Sequence, residues 1–170
     1  MAAALCIVLN GCGSSHPSVA RTASASASPS PTGAAGAKRA AVAAYTGMWN
    51  AFVHAAVTSN ANDPALATYA SEEALKTITD ALTKNHAAGE VTLGSVVNHP
   101  VALDTKPSTQ PTEVDIRDCA DDSRWLKHYA SGGLVNGQPG GRHLVTAVVK
   151  NLGGWKVTSF TAQEVGTCST

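Results

Sequence analysis

The residues best equipped for chemistry in this chain are two cysteines, a cluster of aspartates and a scatter of histidines. Cys119 and Cys168 lie in the C-terminal half, while Cys6 and Cys12 lie near the start. If the domain is exported, an even pair such as Cys119 and Cys168 reads as a disulfide that ties the end of the chain to its middle. The rival is a reactive Cys119 served by a histidine, for which no local Cys/His signature is present. Asp118, Asp121 and Asp122 invite a calcium reading. They lack the alternating oxygen ligands, central glycine and distant glutamate of an EF-hand loop, so a solvated turn is expected there. Asp115 alternates with Val114 and Ile116. It is expected to face water, beside Arg117, when that pair of apolar residues faces inward.

None of the six histidines has the His-x-His or His-x-x-x-His spacing of a metal site, and no metal is expected. His54 falls near the apolar stripe of a helical segment and is the best candidate to face an interior. Trp49, Phe52, Tyr69, Trp125 and Trp155 could join it as a ligand pocket, or serve as core packing. The glycine-rich stretch 132–141 lacks the Lys-Ser/Thr of a phosphate loop and opens no helix, so no cofactor is expected. Acidic and basic side chains balance at 12 each. No basic face follows from that balance, and nucleic acid is not an expected partner.

Position in the cell is suggested by the first residues. Met1–Leu9 is nearly all apolar, too short to cross a bilayer as a stable helix, and fits the apolar region of a signal peptide. Leu9-Asn10-Gly11-Cys12 resembles a bacterial lipobox, in which Cys12 would carry the lipid. No Lys or Arg precedes the run, a departure that a start placed further upstream would explain. Residues 13–36 are rich in Ser, Ala, Pro and Gly, with too few apolar side chains to offset ordering; a disordered tether is expected. About 130 residues remain, enough for one core.

The elements that must position the candidate residues fall into two halves. Residues 38–59 form an amphipathic helix, with Val42, Tyr45, Trp49, Phe52, Val53 and Val57 on one face. Asp63-Pro64 starts a short second helix ending at Tyr69. Ser71 is a natural cap for a third, whose stripe is Leu75, Ile78 and Leu82 and whose end is near Gly89. Strands follow. Residues 90–98 form one, with a bulge expected at Gly94-Ser95, and Val101-Ala102-Leu103 continues it. Another starts at Thr112, ends at Cys119 and restarts at Trp125. His143–Lys150 and Trp155–Val165 form a hairpin around Asn151-Leu152-Gly153-Gly154. The expected fold is α+β, with three helices packed on a curved, mainly antiparallel sheet of about four strands.

Tyr45-Thr46-Gly47-Met48-Trp49, Asp63-Pro64 and Gly154-Trp155-Lys156-Val157, in this order of elements, resemble the NTF2-like (SnoaL-like) α+β cone, a cystatin-like architecture. With the lipobox-like start, Asp118-Cys119-Ala120-Asp121 and Gly166-Thr167-Cys168, the chain is similar to uncharacterised actinobacterial secreted lipoproteins. The resemblance covers roughly residues 38–168. It implies an extracytoplasmic domain held to the membrane by lipid, without a settled activity. Two functions follow as expectations. One is a non-catalytic domain binding a small apolar ligand or an envelope protein. The other is a cone-type isomerase, dehydratase or hydrolase with Asp115 or His54 as general base. A third possibility is a purely structural domain with a filled cone. The scaffold does not choose among them.

Overall fold

A computed structural model describes residues 33–137 and 139–169. Cys6, Cys12 and most of the expected tether lie outside the described residues. Three helices, α1 (Ala34–Ala56), α2 (Pro64–Tyr69) and α3 (Glu72–Ala87), precede five strands: β1 (Glu90–Val97), β2 (Val101–Lys106), β3 (Glu113–Tyr129), β4 (Arg142–Asn151) and β5 (Trp155–Ala162). All strand pairs are antiparallel, in the order β1-β3-β4-β5, with β2 also on β3. The sheet curls into a half-barrel, with α1 in its concave side in contact with all five strands. The α+β order is therefore as the sequence indicates, with five strands rather than about four.

The first helix begins earlier than its large apolar residues suggest, so the expected tether is too long at its C-terminal end. Gly36 and Ala37 are already buried. The inward face is mostly alanine: Ala37, Ala41, Ala44, Ala51, Ala55 and Ala56, interrupted by Tyr45, Met48 and Trp49. Small side chains let the helix axis settle deep in the curled sheet. Val57, placed on the buried stripe by its spacing, instead lies past the helix end and is 47% exposed. Gly47 is needed for the fit of α2. A Cβ there would lie 2.5 Å from the Tyr69 ring, inside any real contact distance.

Asp63 caps α2, accepting a hydrogen bond from the Ala65 N–H at 2.9 Å. This bond, and then one from His54, holds the Asp63 carboxyl below its usual range. Ser71 precedes α3 but its hydroxyl caps nothing. The backbone explains why: Ala70 pairs with Val157 as a short parallel bridge, and the Ser71 N–H donates to the Val157 carbonyl at 2.9 Å. The entry to α3 is thus pinned along β5.

The long strand β3 corrects the expected turn at Cys119. It runs without interruption to Tyr129, because the acidic stretch is a bulge. Val97 faces Asp121 and Ser95 faces Arg124, so Val96 is opposed by two residues, Asp122 and Ser123. A bulge of this kind switches which side chains face inward. Val114, Ile116, Asp118 and Ala120 point into the core before it; Trp125 reaches the core after it. The same sum of residue numbers pairs Val97 with Asp121 and Val101 with Arg117. The two strands β1 and β2 are therefore one edge of the sheet, broken at Asn98–Pro100.

Candidate functional site

The concave face is where a cone-shaped fold would hold a ligand, and here it is filled. Trp49 lies 6.0 Å from Phe52, 6.3 Å from Trp125 and 6.0 Å from Phe160, measured between ring centroids. Phe52 meets Trp125 edge-on at 5.0 Å, and Tyr45 closes the cluster at 6.4 Å from Trp49. Edge-to-face pairs at these separations add to the stabilisation from apolar burial. Of the six residues predicted to line a pocket, the fold brings together Trp49, Phe52 and Trp125, as a plug.

The other three are elsewhere. The His54 side chain is 81% exposed and its Nδ1 lies 3.0 Å from the Asp63 carboxylate; it faces away from the cone. His54 follows the buried Ala51 by three positions and precedes the buried Ala55 by one, at the margin of the inward face, so spacing alone could not place it. Tyr69 covers Gly47 from α2. Trp155 opens β5 and borders a separate, more polar hollow of about 600 Å3 with Ala37, Ala40, Pro111 and Asn151. Asp115, the other expected base, lies on the outer face, 2.9 Å from Lys106 Nζ rather than paired with Arg117. Asp115 and then Glu113 hold the Lys106 ammonium above its usual range.

The three aspartates of the acidic stretch part company. Asp118 is buried, with only 1% of its surface exposed. Its carboxylate accepts from Tyr45 Oη at 3.0 Å, from Asn98 Nδ2 at 2.7 Å, and from the His99 N–H. Burial, and after it this carboxylate, push the Tyr45 phenol far above its usual value. Asp121 accepts from the Ser123 N–H at 3.0 Å and sits 3.4 Å from Arg142 Nε. Its hydrogen bonds to Ser123, and then Arg142, keep its carboxyl low. Asp122 accepts from the Gly141 N–H at 2.7 Å. Each carboxylate is committed to its own part of the backbone, so the expected solvated turn is a set of structural ties. The signal for Asp118 was available, because extending the Val114 and Ile116 alternation by one step puts it inside.

Cys119 and Cys168 are joined by a disulfide, with Cα atoms 5.8 Å apart, inside the range such a bond requires. Cys119 is on the outer face of β3. The tail reaches it after β5 by folding back along β4: the Gly166 N–H donates to the Arg142 carbonyl at 2.7 Å, and the Leu144 N–H to Thr167 Oγ1 at 2.9 Å. The bond removes Cys119 from the list of available nucleophiles.

A cleft of about 580 Å3 lies outside the cone, where the ends of α1 and α3 meet the start of β1 and the end of β3. Val57, Val91, Leu93 and Tyr129 supply apolar surface; Thr58, His86 and His128 supply polar groups. Glu90 is paired with Lys127 Nζ at 3.2 Å, and that ammonium also donates to Asn85 Oδ1 at 2.8 Å. The charge at this end is therefore internally balanced. A concavity of this size with mainly apolar walls and few polar groups suits a small ligand. Neither the cleft nor the residues after α1 carried a sequence signal, since Val57 and Val91 read as ordinary core positions.

No protein-family model matches the chain, and no curated protein matches it in sequence. Among solved structures it is similar to the crystal structure of the intermembrane space region of chloroplast protein ARC6. The TM-score is 0.43 at 13% identity, covering 75% of this chain and 96% of that one. A likeness at this level carries no functional argument.

Proposed function

We propose that this chain is a cell-envelope lipoprotein of the NTF2-like, cystatin-like cone type, non-catalytic, whose folded domain binds a small apolar ligand in the cleft beside Val57, Val91 and Tyr129. The observation that carries this reading is the separation of the two hollows. The cone interior is filled by Trp49, Phe52, Trp125 and Phe160, whereas the apolar cleft at its end is open. An acid–base enzyme of the cone type needs ionisable groups converging on a substrate cavity. Asp115 is outside, in an ion pair, and His54 is in solvent. The remaining inward carboxylate, Asp118, already accepts from three donors.

Titration with N-phenyl-1-naphthylamine, a small apolar fluorophore, tests the reading. Wild-type protein is expected to enhance its emission saturably, and Val57→Arg to weaken binding by about 10-fold or more, since a guanidinium would occupy an apolar wall. Val57 is largely exposed, so the variant should melt like wild type. Equal binding by the two proteins would remove the cleft from consideration.

Anchoring is a separate proposal and rests on Leu9-Asn10-Gly11-Cys12. With a working export signal upstream, Cys12→Ser is expected to move the protein from the membrane fraction to the medium. Retention of the variant on membranes would contradict lipidation at Cys12.

A further inference from the structure

We infer that the open edge of β1 takes an extended segment of a partner protein as an added strand, with an aromatic residue of that segment next to an acidic one. This surface adjoins the apolar cleft, sharing Glu90, Val91 and Leu93 at the start of β1, and its centre at Gly94 and Arg124 lies outside the cleft.

The edge comes first. In the sheet, β1 is terminal and β2 pairs with β3 alone, so both strands have a side with no strand beside it. Half of the N–H and C=O groups of an edge strand point outward and form a template for another chain. Proteins usually blunt such edges with charge, proline or a bulge. Here Leu93, Gly94 and Ser95 are consecutively exposed, so β1 is open to solvent on both its faces. Its one charged residue, Glu90, is at the start and already paired with Lys127. The register bulge of this region is on the inner neighbour β3, and within β1 only Gly94 departs from strand geometry, with a φ of 109° that glycine adopts without strain.

Side-chain chemistry on the two faces then selects the occupant. On the inner face, Gly94 lies directly across from Trp125, whose ring meets Phe52 edge-on. Gly94 has no side chain to cover that pair. A residue added beside it would therefore extend over the glycine onto half-buried aromatic rings. An aromatic side chain fills this position best, with edge-to-face geometry available to it. On the outer face, Ser95 lies across from Arg124. Arg124 is exposed, and among the described residues neither it nor Arg117, further along β3, makes an ion pair. Leu93, Val97, Val101 and Leu103 continue this face as an exposed apolar row. Successive residues of an added strand point to opposite faces. The residue adjacent to the inward aromatic one thus meets Arg124, and a carboxylate complements it.

A second copy fits less well. Its own β1 would bring serine, leucine and valine to Arg124, with no unpaired carboxylate. Recognition of an extended segment by backbone pairing, with side-chain pockets supplying selectivity, is an established mode of strand addition.

The test uses the purified chain with its disulfide intact and a fluorescein-labelled peptide, Thr-Val-Asp-Phe-Asp-Val-Thr, read by fluorescence anisotropy. Saturable binding is expected, lost when alternate peptide nitrogens are N-methylated in one phase and kept in the other. Arg124→Glu should weaken it by about 10-fold, as for a close charge pair, and a peptide with Lys for both Asp residues should then bind the variant better than wild type. Arg124→Glu should leave naphthylamine binding unchanged, which keeps this test separate from that of the cleft. Three outcomes overturn the inference: no binding up to about 1 mM peptide, binding indifferent to N-methylation in both phases, or self-association of the chain that excludes the peptide.

Discussion

Replacing Asp118 by alanine is expected to destabilise the domain by about 3 kcal/mol or more, with Asp118→Asn intermediate. Asp118 is the acceptor for three donors from three places: Tyr45 on α1, Asn98 at the end of β1, and the His99 backbone in the break before β2. Alanine leaves the phenol and the amide facing a void, and a buried donor without an acceptor costs roughly 1–3 kcal/mol. Asparagine keeps one oxygen and turns a donor toward the others, so part of the network survives. Tyr45→Phe, which removes one donor and leaves the carboxylate its other two, should cost about 1–2 kcal/mol. Tyr45→Phe and Asp118→Asn should be non-additive, as expected for residues sharing one network. Urea denaturation of the set checks this. An Asp118→Ala midpoint equal to wild type would mean the carboxylate holds nothing together.

The second large effect belongs to the disulfide. Cys119→Ser with Cys168→Ser is expected to lower stability by about 2–4 kcal/mol without changing the fold, close to the chain-entropy value of about 4 for such a loop. The bond spans a sequence separation of 49 residues and fastens the tail to the outer face of β3. Without it, the tail retains its bonds to Arg142 and Leu144, which lie near the surface and open readily. Proteolysis after Gln163 should therefore accelerate in the reduced protein before the core unfolds. Equal urea midpoints for the oxidised protein and the double variant would contradict this.

Legibility of the fold in the sequence followed the strength of local signals. Asp63-Pro64 placed α2 because a cap and a fixed proline φ act within one turn. The hairpin at Leu152-Gly153-Gly154 was visible for the same reason. The middle of β3 was misread because polar residues in a bulge look like a turn: Asp121, Asp122 and Ser123 carry turn chemistry while their strand continues. The inward face of α1 was partly missed because alanine carries little periodic signal, yet alanine is what a helix in a tightly curled sheet requires. Of the aromatic residues, Trp49, Phe52 and Trp125 do lie in or against the core. Whether three aromatic rings line a hollow or fill it depends on the sheet's curvature, which no local pattern specifies. His54 and Asp115 were candidates by residue type, and their contacts with Asp63 and Lys106 are long-range or cross-strand facts outside the reach of spacing.

The cone is packed shut, and the proposed ligand-binding surface is the cleft outside it. Two indole N–H groups, Trp49 Nε1 and Trp125 Nε1, are buried and report on the packed interior in a proton–nitrogen NMR spectrum. Titrating uniformly nitrogen-15-labelled protein with N-phenyl-1-naphthylamine is therefore the most direct measurement. Shifts are expected at the backbone amides of Val57, His86, Val91, His128 and Tyr129, with both buried indole signals unmoved. Large shifts at the Trp49 and Trp125 indoles with a silent cleft would contradict this, and would show that the ligand enters the cone.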